Sequence, residues 1–353
     1  MSLFDNAGNS TLIRNEEALD FEYVPKVLPY REMQQKQIAS SMKPLLQDRN
    51  GKNIIVHGAP GIGKTAATRW VIRDLEENTE DVRTFYINCW QKDTTYKIAV
   101  ELCEQLDYRF VQNRNTEDLF KMVVTLVSKK PCVFVFDEID KAEDFDFLYT
   151  ILNEVYKKTI VLITNYPDWI VEVEDRIKSR LLPEMLEFKS YTAQETFEIL
   201  KQRASYAFED GVFDTKAMKL IADKSAEFKD LRVGIHMLRE AAIIAEDADG
   251  KKVLEEHAIS AIAKLPSFSM HRSEDLEEDT QIVVQVIKDN SGKKIGELFN
   301  IYKEKGGAGI YKSFQRKIAK LEKQRMITTQ KQTTKEGNTT IVNYAKEKSL
   351  AEF

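Results

Sequence analysis

The chain has 353 residues, of which 42% are hydrophobic and 31% charged, and its formal net charge is −5. This composition excludes a wholly disordered chain, and the length is typical of two or three domains of roughly 150 residues each. No apolar run approaches the roughly 18 residues of a membrane span, and the first twenty residues lack the basic and apolar parts of a secretory signal. The three cysteines are widely spaced, so we expect neither disulfides nor a zinc site, and a reducing cytoplasmic, nucleoid-associated location.

Charge is distributed unevenly along the chain. Residues 291–353 carry 14 Lys and Arg against 6 Asp and Glu, a net charge of +8, so the remainder carries −13 by difference from −5. A basic terminal region on an acidic body predicts a polyanionic partner for that region.

Residues 1–22 are interpreted as an N-terminal extension, and short β-prone runs alternate with helical patterns over residues 23–190. The runs are Asn53–His57, Thr84–Asn88, Cys132–Phe136, Ile160–Thr164 and Met185–Phe188. Helical stretches between them include Lys64–Glu77 and Thr94–Leu106. This order predicts an α/β domain with a parallel sheet covered by helices.

Helical patterns alone occupy residues 191–265. They are Ala193–Phe208, Thr215–Glu227, Asp230–Ala245 and Leu254–Ala263. They predict a small helical subdomain. Residues 266–278 follow as a linker with a proline, serines and an acidic cluster.

Residues 279–353 have a third pattern. Three helices are predicted, near Thr280–Lys288, over Lys294–Glu304 and from about Ile310 to Gln324. Two β-prone segments follow, Met326–Thr333 and Thr339–Tyr344, and the residues between them suit a hairpin turn. Three helices followed by a hairpin predict a winged-helix domain.

A phosphate-binding loop is the strongest motif. Gly58-Ala59-Pro60-Gly61-Ile62-Gly63-Lys64-Thr65 matches G-x-x-x-x-G-K-S/T in full and continues into Ala66. A predicted strand enters the loop and a predicted helix leaves it, so backbone N–H groups would surround the phosphates of ATP or ADP. We expect Lys64 to reach the β- and γ-phosphates and Thr65 to bind Mg²⁺. A chance glycine-rich turn is the alternative.

Polar side chains end two further predicted strands. Asp137 and Glu138 follow the apolar run Cys132–Phe136, where ligands sit in parallel sheets. We expect Asp137 to position Mg²⁺ through water and Glu138 to act as the general base for the attacking water; an acidic loop is the alternative. Asn165 follows Ile160–Thr164 and is expected to orient the attacking water, although a strand-end asparagine is often only a turn residue.

With these residues, the chain resembles an AAA+ ATPase and, more narrowly, the archaeal origin-recognition initiators of the Orc/Cdc type. The narrower resemblance rests on Ile13–Leu19, Tyr23-Val24-Pro25, Leu28–Glu32, Tyr86–Cys89 and the terminal winged helix. It covers essentially the whole chain. It implies an AAA+ sheet with a helical lid and a DNA-binding winged-helix domain.

The resemblance implies further residues of the nucleotide site. Arg180, with Arg176 as second choice, matches the arginine finger that acts on a neighbouring subunit's nucleotide, and a surface arginine is the alternative. Arg232 matches the sensor arginine of a lid helix, although Lys229 stands where the family usually has glycine. Other family positions that surround the nucleotide are Tyr30, Arg31, Tyr191 and Arg203. An aromatic side chain at Tyr191 is also explained by packing alone.

The third helix of the terminal domain has one apolar face, formed by Ile310, Phe314, Ile318 and Leu321. The other face carries Lys312, Gln315, Arg316, Ala319, Lys320 and Lys323. We expect this face to enter the major groove, with Gln315 and Arg316 reading base edges, and Lys331 and Lys335 on the hairpin to contact the backbone or the minor groove. A merely solvated face is the alternative. The family also has a DNA-contacting insert, which would fall within Gln91–Asp118, and often Gly-Arg-Gly at the wing tip, where this chain has Lys335-Glu336-Gly337-Asn338.

These features favour an ATP-dependent DNA replication initiator that binds duplex origin DNA, acts with other initiator subunits and helps to recruit or load the replicative helicase. ATP hydrolysis is expected to be slow and to act as a switch. Two alternatives stay open: a nucleotide-binding DNA-bound regulator or inactive paralogue, and another AAA+ machine such as a clamp-loader subunit. The basic winged helix argues against the clamp loader.

Overall fold

The structure, a computed structural model, describes residues 11–167, 169–265, 278–307, 311–323, 327–334 and 337–344. The chain forms two compact units, one covering Met1–Ile262 and the other Ala263–Phe353. None of the helices in the described ranges is both long enough and apolar enough to cross a lipid bilayer.

A five-stranded parallel sheet lies at the centre of the first unit. The strands are β1 (Ile54–Gly58), β2 (Arg83–Asn88), β3 (Cys132–Asp137), β4 (Lys158–Thr164) and β5 (Glu184–Phe188). Their order is β2-β3-β4-β1-β5. Strands β3 and β4 are buried along their whole length, as expected for central strands covered on both faces.

The strand order decides which residues meet at the carboxyl edge of the sheet. Strand β4 lies between β1 and β3, with His57 opposite Thr164 and Phe136 opposite Leu162. The tip of β4 is therefore placed between the loop that follows β1 and the carboxylates that end β3. This edge is the usual ligand site of open parallel sheets.

Helices cover both faces of this sheet. They are α1 (Glu32–Met42), α2 (Lys64–Asn78), α3 (Thr95–Gln105), α4 (Thr116–Val127), α5 (Asp146–Glu154), α6 (Trp169–Glu172) and α7 (Asp175–Leu181). Alternate residues of one strand enter opposite cores because side chains alternate across a sheet. Phe134 and Phe136 of β3 pack with α3, α4 and α5, whereas Val133 and Val135 pack with α1 and α2.

The helical subdomain contains α8 (Ala193–Ala207), α9 (Thr215–Phe228), α10 (Leu231–Asp247) and α11 (Glu255–Ala263). Helix α8 begins at a capping box, in which Thr192 and Glu195 satisfy each other's backbone N–H groups. Helix α10 begins at Asp230, whose carboxylate accepts a hydrogen bond from the Arg232 N–H at 2.9 Å.

Lys229 connects α9 to α10 in the left-handed conformation, with φ of 54°. The turn is thus made without the glycine that the family resemblance leads one to expect.

A residue with a Cβ is strained in this left-handed conformation, so we expect Lys229→Gly to raise the free energy of unfolding by about 0.5 to 1 kcal/mol. Urea unfolding measures the change. Lys219→Gly, at an exposed position in the middle of α9, should instead lower the free energy of unfolding by about 1 kcal/mol. Destabilisation by both glycines would contradict the assigned strain.

The second unit consists of α12 (Glu278–Asp289), β6 (Lys293–Lys294), α13 (Ile295–Glu304), α14 (Tyr311–Lys323), β7 (Ile327–Thr334) and β8 (Gly337–Tyr344). Its antiparallel sheet has the order β6-β8-β7. The order of three helices and a hairpin is the one predicted from the sequence. The two-residue strand β6 was not predicted, and Lys294 belongs to it rather than to the second helix. Two residues are too few to show the alternation typical of a strand.

Candidate nucleotide site and nucleic-acid interface

The loop from Gly58 to Gly63 is enclosed by β5 on one side and by the beginning of α10 on the other. A Cβ at Gly58 would collide with the Phe188 carbonyl oxygen, and a Cβ at Gly61 would collide with the Asp230 carboxylate. The Gly61 carbonyl also accepts a hydrogen bond from the Leu231 N–H at 3.1 Å. The loop is therefore in direct backbone contact with the beginning of α10, and Gly61 has φ of 73°, a conformation that favours glycine.

Lys64 begins α2 and its side chain is buried. Its Nζ donates hydrogen bonds of 2.8 Å to the carbonyl oxygens of Gly58 and Ala59 and to Asn165 Oδ1. Burial, with a smaller contribution from the nearby Arg232 guanidinium, lowers the pKa of Lys64 to about 8 against the opposing effect of Asp137. The ammonium thus lies inside the loop, at the position where phosphate oxygens would be bound.

Unfolding at different pH values tests the environment of Lys64. Its folded pKa of about 8 lies below the ordinary 10.5. Between these values the unfolded chain holds a proton that the folded chain has released, so this group makes the free energy of unfolding rise with pH. Without nucleotide, the wild type should gain about 2 kcal/mol over Lys64→Met between about pH 7.5 and pH 9.5. If urea unfolding shows that the free energies of unfolding of the wild type and Lys64→Met change with pH in parallel, the lowered pKa of Lys64 is contradicted.

Asp137 ends β3, and its carboxylate accepts three hydrogen bonds. Oδ2 accepts from the Thr65 hydroxyl at 2.8 Å and from the Tyr86 hydroxyl at 2.5 Å. Oδ1 accepts from the Glu138 N–H at 2.9 Å. A buried carboxylate beside a threonine hydroxyl is an oxygen pair that fits Mg²⁺, which takes its remaining ligands from phosphates and water.

Glu138 follows in the left-handed conformation, with φ of 53°. Burial raises the pKa of Glu138 above its usual range, and the carboxylates of Asp137 and Asp140 raise it further. A carboxylate with a raised pKa is a better proton acceptor, as a general base requires. The structure therefore brings together the predicted residues Lys64, Thr65, Asp137, Glu138 and Asn165.

Arg232 extends from α10 toward the same edge. Its guanidinium contacts Asp230 through Nε–Oδ1 at 3.0 Å and Nη2–Oδ2 at 2.6 Å. It is close enough to influence the pKa of both Lys64 and Glu138. Of the predicted lid residues, Arg232 is thus next to the phosphate loop.

The predicted adenine-side residues form a stack. Arg31 is buried, its Cζ lies 3.8 Å from the centre of the Tyr191 ring, and it donates to the carbonyl oxygens of Ile62 and Lys189 at 3.0 and 2.8 Å. The Tyr191 hydroxyl lies beside Gly63. Tyr30 instead donates a hydrogen bond to Glu198 on α8.

Arg203, on α8, contacts the N-terminal segment of the chain. Its Nη1 donates to the carbonyl oxygens of Ala18 and Tyr23 at 3.1 and 3.3 Å, and its Cζ lies 5.0 Å from the centre of the Tyr23 ring. The side chain therefore fastens the N-terminal segment to α8.

Arg176 and Arg180 are exposed on α7, and both guanidinium groups lie over the Tyr149 ring, at 4.7 and 5.2 Å from its centre. Arg176 also forms an ion pair of 3.0 Å with Asp146. Arg180 Nη1 donates to the Arg176 carbonyl oxygen at 3.1 Å. The pair presents positive charge on the surface rather than to the chain's own phosphate loop.

Tyr86 was not predicted as part of the site. It lies on β2, next to β3, and its hydroxyl reaches Asp137. Its neighbours Phe85 and Ile87 are buried in the core on the opposite face. Side chains alternate between the two faces of a strand, so the pattern of β2 could have predicted that Tyr86 lies on the phosphate-loop side of the sheet.

The predicted DNA-contacting face lies on α14. Phe314, Ile318 and Leu321 are buried in the domain core, and Gln315 and Arg316 are exposed. Lys312, Lys320 and Lys323 belong to α14 and Lys331 to β7, whereas Lys335 and Ile310 lie outside the described residues. The predicted insert region Gln91–Asp118 contains α3 and the start of α4, and Phe110 between them is exposed.

Two family profiles match this chain. One, described as AAA domain, matches residues 47–166, and the other, described as Cdc6 AAA+ ATPase-type lid domain, matches residues 197–263. The matches fall on the part of the chain that holds the phosphate loop and on the helical subdomain. They support ATPase activity for the chain and identify the helical subdomain as a lid.

Similar proteins extend the resemblance to the whole chain. The ORC1-type DNA replication protein 1 of Archaeoglobus fulgidus is 32% identical over 343 residues, which cover 91% of this chain and 84% of the relative. The protein of the same name from Methanothermobacter thermautotrophicus is 28% identical and covers 100% of this chain and 98% of its own length. The solved structure of the Aeropyrum pernix ORC1 protein in complex with DNA superimposes with a TM-score of 0.76 at 28% identity, covering 96% of this chain and 94% of that one. The predicted family and fold class are confirmed: the chain belongs to the ORC1-type DNA replication proteins, with an AAA+ domain, a Cdc6-type lid and a winged-helix domain.

Proposed function

We propose that this protein is an ATP-dependent initiator of DNA replication that binds duplex DNA at an origin and helps to recruit or load the replicative helicase. The observation that carries the proposal is the convergence of Lys64, Asp137 and Glu138 with the lid residue Arg232 at one phosphate loop. Membership of the ORC1-type replication family and the DNA complex of the Aeropyrum pernix relative support the DNA-binding part.

The residues in and around the phosphate loop have separate roles in this mechanism. Lys64 exchanges the Gly58 and Ala59 carbonyl oxygens for the β- and γ-phosphates. Thr65 and Asp137 would hold Mg²⁺, which would neutralise charge on the phosphates. Asn165 orients the attacking water and Glu138 accepts its proton. The backbone N–H groups between Gly58 and Ala66 bind the phosphate oxygens.

Arg232 and Lys64 are already hydrogen-bonded to other groups of the chain. Arg232 must release Asp230, which caps α10, before it can contact a γ-phosphate, so this exchange would link the lid to the nucleotide. This supports slow hydrolysis that acts as a switch. Tyr191 and Arg31 stack where the lid begins and would border the adenine. Arg180 or Arg176, exposed on α7, would serve the nucleotide of a neighbouring initiator subunit.

DNA recognition is assigned to the second unit. Gln315 and Arg316 are exposed on the same helix whose apolar face forms the core, so the helix can enter a major groove without unfolding the domain. The basic charge of residues 291–353 supplies the phosphate attraction, with Lys312, Lys320, Lys323, Lys331 and Lys335 as its proposed contacts.

Genome-wide crosslinking of the protein to DNA, followed by sequencing, tests the proposal. Sharp peaks at replication start points are expected for an initiator. Peaks dispersed over promoters would instead identify a DNA-bound regulator and would overturn the initiator function. The same experiment on Lys64→Ala shows whether occupancy depends on nucleotide.

A further inference from the structure

We propose that Tyr86 is a positioning residue that orients the Asp137 carboxylate for the metal, and that Arg69 holds Tyr86 in place. The inference rests on the proposed function, because it assigns Asp137 to Mg²⁺. The Tyr86 hydroxyl donates to Asp137 Oδ2 at 2.5 Å, and the same oxygen accepts from the Thr65 hydroxyl at 2.8 Å. One carboxylate oxygen is thus held by a residue of the phosphate loop and by a residue of the neighbouring strand.

The strand register explains why Tyr86 reaches this carboxylate. In the pairing of β2 with β3, Asn88 lies opposite Asp137 and Tyr86 lies opposite Val135. Side chains two residues apart share a face of the sheet, so Tyr86 and Asp137 project to the same side. A shorter side chain at this position would end well before the strand tip. The tyrosine side chain is long enough to reach from its position opposite Val135 to the carboxylate of Asp137, two residues further along β3.

Arg69 contacts Tyr86 from α2. Its Cζ lies 4.8 Å from the centre of the Tyr86 ring. Arg69 follows Thr65 by four residues in the same helix, so the two side chains lie on one helix face. That face of α2 therefore contacts both the carboxylate and the tyrosine that holds it. Glu22 lies 3.8 Å from Arg69, but its high exposure means that this ion pair adds little.

Three donors now fix the plane of one carboxylate: Thr65, Tyr86 and the Glu138 N–H on the other oxygen. Loss of the Tyr86 hydroxyl would leave Oδ2 with one fewer donor and free the carboxylate to rotate. Hydrogen-bond partners of metal ligands orient those ligands, and their loss weakens metal affinity by roughly 10- to 100-fold. We expect Tyr86 to act on the metal site rather than on the phosphate loop itself.

The experiment is a titration of the full-length protein with Mg²⁺ in the presence of a fluorescent ADP analogue. For Tyr86→Phe, we expect the Mg²⁺ concentration at half-maximal binding to rise by about tenfold, while binding in EDTA stays at the wild-type level. Arg69→Met retains a long side chain without charge and should shift the midpoint in the same direction by about threefold. Tyr156→Phe, at a tyrosine exposed between α5 and β4, is the matched control and should leave the midpoint unchanged.

The outcomes separate this inference from the proposed function. If Tyr86→Phe has the same Mg²⁺ concentration at half-maximal binding as the wild type, the positioning role is overturned and the proposed function is unaffected. An equal loss of binding with Mg²⁺ and with EDTA indicates a merely structural role and also overturns it; urea unfolding of the variant then measures that structural effect. A wild-type protein that binds the nucleotide equally with and without Mg²⁺ overturns the metal assignment of Asp137 and, with it, this inference.

Discussion

Replacing Glu138 by glutamine is expected to lower the rate of ATP hydrolysis by a factor of about 100 to 10,000, while nucleotide binding persists. Glutamine has the shape of glutamate but cannot accept the proton of the attacking water. Glu138 lies directly after Asp137. Burial is the largest cause that raises the pKa of Glu138, and the carboxylates of Asp137 and Asp140 raise it further. Glu138→Gln therefore removes the carboxylate that is proposed to accept the proton of the attacking water.

Single-turnover hydrolysis measures this change, and equilibrium binding of the ADP analogue measures nucleotide affinity in parallel. Glu143→Gln is the matched control, because it makes the same chemical change at an exposed position five residues further along the chain. It should hydrolyse ATP at the wild-type rate. If the wild type and Glu138→Gln are equally inactive, with DNA present as well, the catalytic assignment is wrong and the nucleotide has a purely structural role.

Arg316→Ala is expected to weaken binding to an origin fragment by about 10- to 100-fold. Arg316 is exposed on α14, opposite the side on which Phe314 and Ile318 are buried. In the proposed docking of α14 in the major groove, a guanidinium there would donate two hydrogen bonds to one base edge. Footprinting and competition with unrelated DNA measure affinity and specificity separately.

Arg316→Lys distinguishes base recognition from charge. It retains the positive charge but not the planar pair of donors, so affinity for unrelated DNA should persist while discrimination between sequences falls. Unchanged protection of the origin fragment by Arg316→Ala would remove α14 as the recognition helix. An equal loss on all sequences would mean that Arg316 contacts only the phosphate backbone.

The lid is the element through which nucleotide state would reach the rest of the chain. The Gly61 carbonyl accepts from the Leu231 N–H, and Arg31 joins Ile62 to Lys189 just before the lid begins. The phosphate loop is therefore joined directly to the beginning of α10 by a backbone hydrogen bond. Coupling of this kind requires two arrangements of the same element, and the exchange of Arg232 between Asp230 and a phosphate offers such a pair.

The sequence alone predicted those parts of the site in which a short motif sets the local backbone. The loop from Gly58 to Thr65 is followed directly by a helix, and Asp137 and Glu138 follow an apolar strand, so residue type and spacing suffice. The three layers of the first unit and the winged-helix order follow from the periodicities of their segments. The apolar face of α14 was predicted in the same way, and Phe314, Ile318 and Leu321 are buried.

The tertiary structure decided the contacts between segments distant in the chain. Tyr86 joins the site because β2 pairs with β3, and Arg203 contacts the N-terminal segment because the carbonyl oxygens of Ala18 and Tyr23 accept its hydrogen bonds. Lys229 keeps the left-handed turn because Asp230 and Leu231 are held against the phosphate loop. Such choices depend on which partner lies within hydrogen-bond reach once the chain has packed. Local patterns carry no information about that distance, so only the folded chain determines it.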